Sequence, residues 1–133
     1  MSKRILQIVI GAIGILALYT GVLGYVYGAV NWYYGFPANM DLNGGLLMLD
    51  SNLRFYSGLW FGLGLVLFWL IPRIERDTTV LTCLAAMFFM GGIGRIVSIL
   101  ACGLPSVPYV SFILLELGFP LLALWQRKLR RAS

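Results

Sequence analysis

Histidine is absent from this chain, cysteine occurs twice, and only five residues are acidic. Each shortage excludes something. Without histidine, the usual general base and the commonest nitrogen ligand for a metal are missing. Cys83 and Cys102 would stand about 28 Å apart on one helix, too far to form a disulfide with each other. No CxxC or other metal-ligand spacing exists. Both cysteines therefore read as small buried hydrophobes. No metal and no cofactor is expected. Charged residues make up only 11% of the chain while 60% is hydrophobic. A soluble domain of this size has no core large enough to hide that much apolar side chain, so the class is integral membrane protein.

What is present is four apolar segments, over residues 5–27, 51–71, 78–101 and 107–126. They predict an all-α integral membrane four-helix bundle, one transmembrane domain over residues 1–133. A basic start followed by an apolar run also suits a signal peptide. Here the run is longer than an h-region and no clean small-residue cleavage site follows, so an uncleaved span is expected. Residues 28–50 form the longest connection. Asn31, Trp32, Tyr33, Tyr34, Gly35, Phe36 and Pro37 suit a membrane–water interface. Asp41, Asn43, Gly44 and Gly45 read as turn material. Leu46 to Leu49 are apolar again and suit the interface. Asp50 or Ser51 is expected to cap the second segment. Pro120 is expected to kink the fourth.

The basic residues give the topology. Of ten Lys and Arg, eight flank the apolar segments on one side: Lys3, Arg4, Arg73, Arg76, Arg127, Lys128, Arg130 and Arg131. The opposite flanks receive none, which predicts that both termini are cytoplasmic. Trp69 and Trp125 then fall near the inner interface. Trp32, Tyr33, Tyr34, Tyr56 and Tyr109 fall near the outer one. The net charge of +5 is accounted for by these anchors, so no nucleic acid partner is expected.

The remaining charges lie inside the apolar segments. Asp50 and Arg54 are four apart, which places them on one helix face. Arg95 falls about 7 Å to the outer side of the midplane of its segment, and Glu116 falls close to mid-membrane. A charge at the bilayer centre costs about 3 kcal/mol on insertion scales, a cost that pairing inside a bundle lowers. Arg95 with Glu116 and Asp50 with Arg54 are the expected pairs. One reading is a polar cavity open to the outer face, lined by Asp50, Asn52, Arg54, Arg95 and Glu116, with Ser57, Ser98 and Tyr56 beside it. The other is two ion pairs that set helix register, with Arg54 snorkelling to the surface. Gly24 and Gly28, and Gly58 and Gly62, have the spacing of close-packed membrane helices. Gly91, Gly92 and Gly94 allow close approach beside Arg95, or leave room there.

Three stretches carry a resemblance. They are Asn52-Leu53-Arg54-Phe55-Tyr56-Ser57-Gly58-Leu59-Trp60 with Gly62-Leu63-Gly64, then Gly91-Gly92-Ile93-Gly94-Arg95-Ile96-Val97-Ser98, then Leu115-Glu116-Leu117-Gly118-Phe119-Pro120. Their order and spacing, over residues 45–127, resemble a family of small bacterial four-helix inner-membrane proteins known as a domain of unknown function. The resemblance implies that Arg54, Arg95 and Glu116 are the family's motif residues, and it implies no reaction.

Four functions compete. The first is a non-enzymatic protein supporting envelope integrity, binding a lipid, a small anion or a partner through the polar site. The second is a proton- or ion-coupled transporter or channel subunit using Glu116 as a relay, as a homo-oligomer. The third is a membrane enzyme with Glu116 as acid or base and Arg95 stabilising charge. The fourth is an accessory subunit of a larger membrane complex. The lack of a nucleophile set, a metal set and a cofactor fingerprint ranks the enzyme last.

Overall fold

The computed structural model describes residues 3–30, 44–105 and 107–132. The described chain is helical. Helix α1 spans Lys3–Tyr27 and passes into a 3-10 turn at Gly28–Val30. Helix α2 spans Gly44–Leu70 and closes in a 3-10 turn at Ile71–Arg73. Helices α3 and α4 span Thr78–Cys102 and Val107–Ala132. There is no strand among the described residues. All four helices are long and apolar enough to cross a membrane, as their composition requires. The aromatic run 31–37 and the turn residues Asp41 and Asn43 lie outside the described residues.

Two helix ends differ from the sequence expectation. α2 starts at Gly44 and not at the Asp50–Ser51 step. Leu46 to Leu49 continue its apolar run, and Asp50 and Arg54 form an (i, i+4) ion pair inside it. Asp50 therefore does not cap the helix. α4 continues to Ala132, beyond residue 126, and stays helical through Pro120. Its added residues, Arg127 to Arg131, are good helix formers. Their charge also suits the negative end of the helix dipole.

The chain divides into two compact units. One comprises Ile8–Ile71. Within it α1 and α2 approach closely where glycine removes the side chain. A β-carbon at Gly21 would lie 2.8 Å from the backbone nitrogen of Phe61. One at Gly64 would lie 3.1 Å from the carbonyl oxygen of Gly14. Gly24 is buried, Gly58 is in ordinary contact with the Tyr25 ring, and Gly62 faces open space. The tight contacts thus fall at Gly14, Gly21 and Gly64 rather than at the Gly58/Gly62 pair. Trp60 Nε1 donates to Thr20 Oγ1 at 2.8 Å, one interhelical hydrogen bond of the kind that fastens membrane helices.

The other unit comprises Met1–Gln7 and Pro72–Ser133. Its buried core includes Leu6, Ile74, Leu81, Leu84, Phe88, Ile113, Phe119 and Ala123. The rings of Phe88 and Phe119 stack with centroids 4.1 Å apart. Gln126, 1% exposed, donates through Nε2 to the carbonyl of Ile74 and, at 3.4 Å, to that of Asp77. The turn before α3 is thereby tied to the far half of α4. Lys3 pairs with Glu75 at 2.6 Å. Cys83 and Cys102 are both exposed, which corrects the expectation that they are buried. In a spanning helix the apolar surface faces lipid, so hydrophobicity does not imply burial in protein.

Candidate functional site

Of the five charged or polar residues expected at one site, Asp50, Arg54, Arg95 and Glu116 fall into two clusters, one in each unit, and Asn52 joins neither. The first is built by α2 and the end of α1. Arg54 Nε donates to Asp50 Oδ2 at 2.8 Å. Arg54 Nη1 donates to the carbonyls of Tyr25 and Val26, both at 2.8 Å. Asp50 Oδ1 in turn accepts the backbone N–H of Ala29 at 2.7 Å. The last carbonyls of a helix lack partners within it. Here the guanidinium supplies them, while the carboxylate takes an amide of the turn that follows.

Gly28 makes this arrangement possible. Its φ of +56° lies in the left-handed region, which glycine enters without strain. A β-carbon there would overlap Asp50 Oδ1 and lie 2.8 Å from Arg54 Nη2. Gly28 is thus the residue after a helix end, a recognised glycine position, and not a partner of Gly24 in a packed helix face. Reading Gly28 as a stop signal rather than a packing signal would have found it. The carbonyls of Tyr25 and Val26 and the amide of Ala29 were missed because backbone groups leave no trace in residue type. Arg54 does not snorkel away from the protein; it turns onto α1. Asn52 is exposed on α2, Tyr56 is exposed and Ser57 is buried.

The second cluster joins α3 and α4. Arg95 Nε donates to both carboxylate oxygens of Glu116, at 2.9 and 2.8 Å. The Glu116 side chain is 5% exposed and that of Arg95 is 37% exposed. The guanidinium carbon lies 5.8 Å from the centre of the Phe112 ring, a cation–π distance. α3 presents glycine to the carboxylate. A β-carbon at Gly91 would sit 3.9 Å from Glu116 Oε2. One at Gly92 would sit 2.9 Å from Leu117 Cδ2 and 3.3 Å from Glu116 Cβ. Close approach at Gly92 seats Glu116 against α3, and Arg95 lies one turn further along to meet it. Gly94 and Gly118 face open space, and Ser98 is exposed on α3.

The two clusters differ in kind. In the first, the contacts go to backbone groups that need partners. In the second, a buried acid is held by a base that keeps part of its surface accessible. Among the described residues no group of three or more His, Cys, Asp or Glu could hold a metal ion.

The pairing of Arg95 with Glu116, and the placing of Arg54, give structural form to the three motifs noted in the sequence. A family model described as a domain of unknown function, DUF4345, matches residues 5–126. The chain belongs to that family. The match covers all or most of each of the four helices, so the DUF4345 domain includes both clusters. No curated protein and no solved structure shows significant similarity to it.

Proposed function

We propose that this DUF4345 protein is a small non-enzymatic protein of the bacterial inner membrane that supports envelope integrity. In this reading it binds an anionic or polar ligand at Arg95, with both termini cytoplasmic and the site towards the periplasmic side. The observation that carries the reading is the asymmetry of one ion pair. Glu116 is almost fully buried while Arg95 keeps 37% of its side chain accessible. Glu116 positions the guanidinium, and the accessible part of Arg95 meets the ligand. The balanced charges of the two pairs, Asp50 with Arg54 and Arg95 with Glu116, support a non-enzymatic role.

The test is complementation in cells lacking the gene, scored as sensitivity to detergent, with membrane levels of each variant measured in parallel. Arg95→Ala and Glu116→Gln should each fail to restore resistance while inserting normally. Wild-type resistance from a normally inserted double variant would overturn the reading.

A second reading has one observation in its favour. A carboxylate at 5% exposure inside a spanning helix is the kind of group that relays protons. Proteoliposomes would then show proton flux that Glu116→Gln abolishes. The ion pair weighs against it, because Arg95 engages both carboxylate oxygens of Glu116.

A further inference from the structure

The basic end of α4 does more than repeat a topology signal. Because α4 stays helical to Ala132, its cations take different partners. Arg130 Nη1 donates to Thr78 Oγ1 at 3.1 Å and Arg127 Nη2 to Thr82 Oγ1 at 3.3 Å, so these two side chains reach to α3. Lys128 and Arg131, with Arg127 beside them, line an open groove of about 750 Å³ along α4. Leu121, Leu124 and Trp125 line it on the side nearer the membrane-spanning middle of the helix. Residues 121, 124, 125 and 128 follow the i, i+3, i+4, i+7 pattern of one helix face. The stripe therefore passes from apolar to cationic along its length. None of the lining residues is acidic. The buried Nε1 of Trp125 has no hydrogen-bond partner among the described residues, although a tryptophan at an interface ordinarily finds one.

We infer that this groove is a binding site for an anionic phospholipid. The acyl chain lies against Leu121, Leu124 and Trp125, and the phosphate lies between Lys128 and Arg131. Charge selects the occupant. Two cations one turn apart with no neighbouring acid attract a phosphodiester, and the apolar half excludes a free ion as the full ligand. The inference does not depend on the Arg95 site.

The test uses the purified full chain in detergent, titrated with dioleoylphosphatidylglycerol or dioleoylphosphatidylcholine, with bound lipid counted by native mass spectrometry. The wild type should prefer the anionic lipid by roughly thirtyfold, the attraction expected of two cations. Lys128→Gln with Arg131→Gln should remove that preference. Arg130→Gln and Arg95→Ala should keep it, which separates this site from the function proposed above. Inorganic phosphate should leave the lipid bound. Equal affinity for the two lipids, an equal loss from Arg130→Gln, or full displacement by inorganic phosphate would each overturn the inference. If the double variant does not fold, quenching decides. Brominated phosphatidylglycerol should quench the wild type more than brominated phosphatidylcholine does. That excess should vanish in Trp125→Phe, and an excess that survives would refute the site.

Discussion

Asp50, on α2, accepts the backbone N–H of Ala29 at 2.7 Å, so the carboxylate belongs to the end of α1 as much as to its own helix. Gly28 is the residue that lets it in. Gly28→Ala should therefore destabilise the protein through two effects. The left-handed φ alone costs an L-residue about 1–2 kcal/mol, and the overlap with Asp50 forces the carboxylate off Ala29. Thermal unfolding in detergent should show a clear fall in Tm for Gly28→Ala. Gly62→Ala, which meets open space, should stay within about 0.5 kcal/mol of wild type.

Arg54 and Asp50 act on the same turn, so their substitutions should not add. Arg54→Ala leaves the carbonyls of Tyr25 and Val26 without the bonds it supplies, a loss of about 1–3 kcal/mol. Asp50→Asn weakens the hold on Ala29 and on Arg54 together. In a double-mutant cycle read by unfolding, the coupling should be about 0.5–3 kcal/mol. Strict additivity would mean that the two residues work independently.

The second pair should be lopsided. Arg95→Ala strands a carboxylate that is 5% exposed, which costs about 3–5 kcal/mol. Glu116→Gln removes the charge opposite a cation that keeps 37% of its surface and still faces the Phe112 ring, so the loss should be smaller, about 1–3 kcal/mol. Arg95→Ala combined with Glu116→Gln should be more stable than Arg95→Ala alone. Unfolding midpoints of the three variants, compared with the wild type, check the ranking.

Helix approach at glycine, taken within each unit, gives a graded series. At Gly21 an added methyl meets the backbone of Phe61 at 2.8 Å, and backbone cannot move aside without parting the helices. At Gly92 it meets the end of the Leu117 side chain at 2.9 Å, which can rotate. At Gly91 the nearest atom is 3.9 Å away. Alanine substitutions should therefore destabilise in the order Gly21, Gly92, Gly91, with the last near neutral. The same unfolding assay reads the order.

The sequence carried the coarse architecture because hydropathy has a long period and a large amplitude. Four runs of about 20 apolar residues are hard to mistake. The pairings of Arg95 with Glu116 and of Asp50 with Arg54 were legible for a related reason, since an intramembrane charge must find a partner nearby. The contacts of Arg54 with Tyr25 and Val26 were not legible, because any residue type offers the same carbonyl. Gly28 was misread because one residue type serves both close packing and left-handed turns. The tail at Arg127 to Arg131 was read as a simple anchor. Residue type does not show that Arg130 bonds Thr78 while Lys128 lines a groove.

The division of the chain also sets an order of assembly during synthesis. The clasp of Asp50, Arg54 and Gly28 needs no residue beyond Arg54, so the unit Ile8–Ile71 can close while later helices are still being made. The other unit cannot. Lys3 waits for Glu75, and the carbonyl of Ile74 waits for Gln126. At about 5–20 residues per second, the start of α1 stands by for something like ten seconds before the unit it belongs to is complete. During that interval the membrane, or a helper within it, must accommodate the unpaired Lys3 and the open carbonyls of the turn before α3.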